Sequence, residues 1–244
     1  MFTQVFPTEL RRTFPFLIFF FLAVTFGVAG GGQSDDSSGT TRESDQISSG
    51  GSTAPGAARS GRIEFLAGDV RVDGAAAEIG AVLGSGSLVQ TGSNGLVDIV
   101  FGDGNALRIE ENTELTLDLA DPSRGLDVSR GTVAAVFEGL ESIGTGPSDT
   151  FRIRTPSTVA GVRGTAFFVR IEDVDRTYVC TCHGVMDFSD QGLTVRAARH
   201  TATRFIRRDG DVVAEEAPEL YHDSDSLNAV ADVAGVTIKW GEEP

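Results

Sequence analysis

The stretch LVDIVFGDGNALRI, residues 96–109, carries the reading of the fold. Two apolar runs, 96–101 and 106–109, flank Gly102-Asp103-Gly104-Asn105. Glycine with Asp or Asn between two such runs is a tight-hairpin signature, because the turn needs backbone angles that those residues adopt most easily. Upstream, RIEFLAGDVRVDG (62–74) places Ile63, Phe65, Val70 and Val72 at a spacing of two, broken at Ala67-Gly68 and closed at Asp73-Gly74. Downstream, Leu115, Leu117 and Leu119 share one face of a strand over 113–119. LDVSRGTVAAVF (126–137), DTFRIRTPSTVAGVRGTAFFVRIED (149–173) and TYVCTCHGVMDF (177–188) continue the pattern.

A glycine-led strand unit recurs at Gly68 (AGDVRV), Gly131 (RGTVAAV) and Gly184 (HGVMDF). The blocks TGSNGLVDIVFGDG and TPSTVAGVRGTAFFVRIED, which follow the first two, also resemble each other, which predicts two similar short-stranded β subdomains packed together. After Asp190, LTVRAARHTATRFIRR turns at Asp209-Gly210 into DVVAEE, a closing hairpin. Ser224 or Asp223 then reads as the N-cap of a short helix over 225–233. The expected fold class is therefore all-β, a sandwich or short solenoid with a short C-terminal helix.

Charge and composition bound the function. Asp and Glu number 35 against 20 Lys and Arg, a net charge of −15. Such a chain repels phosphate backbones, which argues against a nucleic-acid partner. Arg11 and Arg12 precede the uncharged apolar residues 14–30. At about 1.5 Å per residue that run covers roughly 25 Å, ample for a signal-peptide core and marginal for a membrane span. Gly27 and Ala29 offer a small-x-small cleavage site, and no cysteine is placed for lipidation. The expectation is export, to the periplasm or cell envelope, with the N-terminal segment (1–30) either removed or kept as a membrane anchor. Residues 31–61, rich in Gly, Ser, Thr and Asp, read as a disordered linker. A β domain over 62–190 and an extension over 191–244 follow.

The ordered pieces GDVRVDG, LGSGSLVQTGSNGLVDIVFGDGNALRIEENTELTL, SRGTVAAVF, FRIRTPSTVAGVRGTAFFVR and YVCTCHGVMDF resemble the FecR domain. Its closing strand pattern falls on Thr155, Pro156, Gly164, Thr165 and Phe168. The resemblance implies an extracytoplasmic all-β domain that works by contact, without catalytic residues. In regulatory members such a domain relays an outer-membrane signal through a cytoplasmic N-terminal segment to a sigma factor. Here the residues ahead of the apolar run are too few for that segment, so the expectation is an exported form lacking the cytoplasmic anti-sigma region, with a protein partner in the envelope. A subset of FecR-domain proteins is similar further on, at Cys180, Cys182, Gly184, Arg199, His200, His222 and Asp223, without an activity attached to it.

Both cysteines of the chain, and all three histidines, fall in its last third. Strand alternation puts Cys180 and Cys182 on one face, with Tyr178, Met186 and Phe188, and His183 on the other. Their Cα atoms would lie about 6.6 Å apart with parallel Cβ vectors, near the limit for a disulfide. With His200 and His222 they make a tetrahedral ligand set for zinc or iron, Tyr178 and Asp223 supplying outer contacts. Small core hydrophobes and a disulfide are the competing readings of the thiols. The string CTCH is one residue short of a c-type haem site. Arg196, Arg199, Arg204, Arg207 and Arg208 read as a solvated hairpin balanced by the chain's own carboxylates. Asp98, Asp103, Glu110, Glu111 and Glu114 have no nucleophile or base beside them. No phosphate loop, Ser-His-Asp order or metalloprotease motif is present, so an enzyme is not expected.

Overall fold

The computed structural model describes residues 60–140 and 150–244. The apolar run and most of the linker expected from the sequence lie outside them. No helix among the described residues is long and apolar enough to cross a membrane.

Among the described residues there are sixteen strands, one α-helix and a single 3-10 turn at Ser189–Gln191. In chain order the strands are β1 (Gly61–Ala67), β2 (Val70–Val72), β3 (Ala75–Ala76), β4 (Val82–Leu83), β5 (Ser87–Thr91), β6 (Leu96–Phe101), β7 (Asn105–Ile109) and β8 (Glu114–Asp118). They continue as β9 (Gly125–Arg130), β10 (Thr132–Phe137), β11 (Phe151–Arg154), β12 (Val159–Asp173), β13 (Arg176–Phe188), β14 (Leu193–Ala197), β15 (Thr201–Arg208) and β16 (Asp211–Ala217), before helix α1 (Ser224–Ala234). The all-β reading with a terminal helix holds. The two blocks expected from the repeat are joined in one hydrogen-bonded sheet, in the order β3-β2-β5-β8-β9-β11-β12-β10-β7-β6-β1-β4, with β13 beside β12. The sheet curls onto itself. β1 and β8 are far apart in that order, yet a side chain at Gly61 would meet Leu117 and Leu119 of the β8 region within 3.7 Å. The curl encloses one apolar core that draws Val89, Ile99, Leu117, Phe137, Phe151 and Phe167 together.

A second core forms on the outer face. β10 (TVAAVF) is buried throughout because its two faces serve different cores: Val133, Ala135 and Phe137 point into the curl, Ala134 and Val136 toward α1. Alanines at 106, 134, 166 and 202 leave room for the helix to lie close, and Leu227, Val230 and Ala231 fill it. Asp223 caps α1 by accepting a bond from the Ser226 amide at 2.9 Å, and Gly235 ends it in a left-handed turn.

Two bulges change which side chains face where. In β1, Ile63 pairs with Ile99 and Phe65 with Asp98, so Glu64 is an extra residue. The expected Ile63/Phe65 face is therefore broken: Ile63 is buried and Phe65 is 47 % exposed. In β13, Thr181 pairs with Phe167 and His183 with Ala166, leaving Cys182 unpaired in the ladder. The repeated glycines explain themselves in the same region. Gly68, Gly131 and Gly184 all have positive φ, and a Cβ on any of them would overlap backbone atoms of a neighbouring strand or turn.

The terminal extension is not a separate layer. β14 and β15 both bond directly to β13, and β16 closes the sheet against β15.

Candidate functional site

Cys180 lies on β13 between Phe168 of β12 and Ala202 of β15. Cys182, two residues on, keeps the same face, and both side chains enter the second core with Tyr178. Beyond the bulge the phase of the strand has changed: Met186 and Phe188 point into the first core, not to the cysteine face as simple alternation predicts. His183 is likewise not on the opposite face. Its ring stands edge-on to Trp240, which packs against the second core, and its buried Nε2 has no hydrogen-bond partner among the described residues.

His200 precedes β15, and His222 sits in the loop before α1. One ligand atom from each of Cys180, Cys182, His200 and His222 lies within 4.8 Å of all the others. Cys180 Sγ is 3.7 Å from His200 Nδ1, and Cys182 Sγ is 3.3 Å from His222 Nε2. The two imidazole rings are 5.1 Å apart. Both cysteines are fully buried and reduced, and the His200 side chain is 3 % exposed.

The far nitrogen of each imidazole has its own acceptor. His222 Nδ1 lies 2.9 Å from the Leu220 carbonyl, which can only accept, so that nitrogen carries the proton. His200 Nε2 lies 2.9 Å from Ser224 Oγ and 3.7 Å from Glu219 Oε1. His222 thus turns a bare Nε2 toward Cys182, and the Ser224 hydroxyl, which can accept as well as donate, lets His200 do the same toward Cys180. Asp223, expected as an outer contact, serves instead as the helix cap. Ser224, Glu219 and the Leu220 carbonyl take that place.

Aromatic side chains fix the ring planes. His222 stacks on Phe168, centroids 4.2 Å apart and planes at 11°, and His200 stacks on Trp240 at 4.9 Å and 20°. Tyr178 accepts a bond from the Leu220 amide at 3.0 Å and donates to the Pro218 carbonyl at 3.3 Å, tying down the loop that carries His222. In that loop Tyr221 has φ of +71°, a conformation that costs a bulky residue about 1–2 kcal/mol. It is held there by its hydroxyl bond to Glu172 (2.8 Å) and by the Arg170 guanidinium over its ring. Glu172 in turn takes both branches of Arg204 at 2.8 Å.

The electrostatics of the thiols follow from this setting. The Cys180 thiol is drawn down to about 4, first by a hydrogen bond from the Cys182 thiol, against the opposing effect of burial. Burial pushes Cys182 well above the ordinary thiol range, and the neighbouring thiolate adds to it. Burial also lifts the Tyr178 phenol to about 12. Two sulfurs buried side by side favour one thiolate and resist a second.

Of the resemblance positions, Gly164 has a positive φ, and Thr165 bridges the bulged ladder through bonds with the Arg163 and Val185 carbonyls and the Val185 amide. Phe168 is the ring under His222. Sequence periodicity had no signal for Ser224, Glu219 or Trp240, whose roles depend on the chain folding back after β16. Two arginines of the basic stretch have carboxylate partners, Arg204 in Glu172 and Arg208 in Glu215 at 3.2 Å, while Arg207 donates to the Pro156 carbonyl and Arg199 lies over the Trp240 ring.

A family model described as FecR protein matches residues 87–186. Two crystal structures of a candidate anti-sigma factor from Parabacteroides distasonis align with the chain at 13 % and 12 % identity, each with a TM-score of 0.41. Each alignment covers 53 % of this chain and 59 % of that protein, so the chain spans less than two thirds of its length. No curated protein sequence matches this one.

Proposed function

We propose that this chain, which carries a FecR domain over residues 87–186, is a non-enzymatic signalling module that acts by contact with a protein partner in the cell envelope. The family match is the observation that carries the reading. The state of the acidic side chains supports it. Asp98 is engaged by Arg108, Glu172 by Arg204, and Glu114 by Gln90 and Arg130, so each is held as a charge partner rather than poised for proton transfer. Arg11, Arg12 and the apolar residues 14–30 support export, either with the segment removed or with it retained as an anchor. Contact would be made through strand edges. Among the described residues β16 pairs only with β15, which leaves its outer edge open to an added strand, with Val213 40 % exposed.

Localisation and contact are tested together. Phosphatase fused after residue 61 reports on which side of the membrane the β domain lies. A photo-crosslinking residue at Val213, in the intact chain in the cells that make it, is expected to trap one defined envelope protein. The same residue at Val174, exposed in the β12–β13 turn, is expected to trap none. A cytoplasmic β domain, or identical crosslinks at both positions, would end this reading.

A further inference from the structure

We propose that Cys180, Cys182, His200 and His222 bind one divalent transition-metal ion in a closed tetrahedral site, with zinc as the ion that suits it best. The inference goes beyond the signalling role and does not depend on it.

Distance is the first argument. Metal–sulfur bonds of about 2.3 Å and metal–nitrogen bonds of about 2.0–2.1 Å place tetrahedral ligand atoms roughly 3.3–3.8 Å apart. The two sulfur–nitrogen pairs here stand at 3.7 and 3.3 Å, and all four atoms lie within 4.8 Å of one another. Tautomer is the second. The far nitrogen of His222 is bonded to a carbonyl, which leaves the near nitrogen's lone pair free for the shared centre, and the far nitrogen of His200 lies against a hydroxyl able to accept its proton, with a carboxylate behind it. That is the outer arrangement metal-ligating histidines adopt. Charge is the third: two thiolates and a dication are neutral together, so the ion removes the cost of burying two negative sulfurs.

The competing readings explain less. Inert core thiols do not call for two imidazoles with stacked, hydrogen-bonded and oppositely directed rings. A disulfide would leave the two imidazoles without a role, whereas each sulfur lies against a histidine and no bond joins the two sulfurs. Four protein ligands leave no open coordination position, which makes the site structural rather than catalytic. Its ligands come from β13, from the residue before β15 and from the loop ahead of α1, so the ion would tie the terminal extension to the FecR domain. A polar cleft of about 300 Å³, lined by Arg199, His200, Glu219 and Ser224, reaches the His200 side and gives the ion a way in. Binding forms two metal–sulfur bonds with electron pairs from the thiolates and releases to water whatever protons the thiols still hold.

The full chain, purified without chelator or a metal-affinity tag, is tested for metal by mass spectrometry and then reconstituted with Co²⁺. The expected results are about one zinc per chain and, with cobalt, the intense visible bands of a tetrahedral site together with a thiolate-to-cobalt charge-transfer band. His222→Gln and Cys182→Ser are each expected to lower metal affinity at least 100-fold. If a variant fails to fold, chelation of the wild type decides the matter, with loss of the ion expected to lower its melting temperature. Iron in place of zinc at the same ratio keeps the site and changes the occupant. A folded protein with under one tenth of a metal per chain and no cobalt bands overturns the proposal. So does a Cys180–Cys182 disulfide by mass, or undiminished metal in both variants.

Discussion

Asp98 and Arg108 face each other as a register pair on β6 and β7, with two hydrogen bonds of 2.7 Å and side-chain exposures of only 2 % and 20 %. Arg108→Met keeps the apolar stem and removes the charge, leaving the Asp98 carboxylate in a place where water cannot replace what it lost. Breaking a buried pair from one side costs about 3–5 kcal/mol, whereas an exposed pair is worth about 0.2–1 kcal/mol. The burial of Asp98 places this pair in the first class. In a fold of this size such a loss lowers the melting temperature by roughly 6–20 °C, at about 2–4 °C per kcal/mol. Removing both charges, as in Asp98→Val with Arg108→Met, replaces the pair by an apolar cross-strand contact, and most of the loss is expected to return. Urea unfolding of the intact chain, followed by circular dichroism and by the fluorescence of Trp240, its one tryptophan, measures all four corners of the cycle. A single-variant loss below about 1 kcal/mol, or a double variant that loses the sum of the singles, would refute the assignment of a buried, mutually dependent pair.

Two further outcomes are expected. Gly184→Ala, at φ of +117° with the Gly164 carbonyl 2.5 Å from the new Cβ, should cost about 3 kcal/mol or more in urea unfolding; a cost under 1 kcal/mol would mean that the β12–β13 crossing yields easily. The hydrogen bonds from Arg204, and then that from Tyr221, hold the Glu172 carboxyl below its ordinary range. Its contribution to stability is therefore complete above the unfolded value of about 4.3 and fades as pH falls through the lower folded value. Glu172→Gln should lose about 1–3 kcal/mol at pH 7, and the gap to wild type should close on acidification; a gap that is constant from pH 7 to pH 3 would show that the charge plays no part.

Residue pattern alone settles the fold class because strand formation here is local. LVDIVFGDGNALRI specifies its own hairpin, and β6 and β7 form on either side of that turn. Leu115, Leu117 and Leu119, alternating in sequence, are all buried. The helix was legible from its cap, since Asp223 and the apolar spacing of Leu227, Val230 and Ala231 are short-range features. Faces were less legible. One bulge, at Glu64, turned Phe65 outward, and another, at Cys182, moved Met186 and Phe188 into the first core and His183 to the cysteine side. A single extra residue reverses every side chain beyond it, and nothing in the local pattern marks where a ladder absorbs one.

The same division runs through the candidate site. Residue type and strand spacing were enough to single out Cys180, Cys182, His200 and His222, because soft sulfur and imidazole donors are few in this chain and fall together in its last third. Their convergence belongs to the tertiary structure. It needs β15 to lie against β13 and the loop at Tyr221 to be held in a strained turn by Tyr178, Glu172 and Arg170. The outer contacts at Ser224, Glu219 and the Leu220 carbonyl arise only once the extension has folded back across the sheet. Local alternation and turn chemistry therefore determined the elements, since they depend on neighbours in sequence. Long-range pairing decided which donors meet, since that distance is set by the whole sheet.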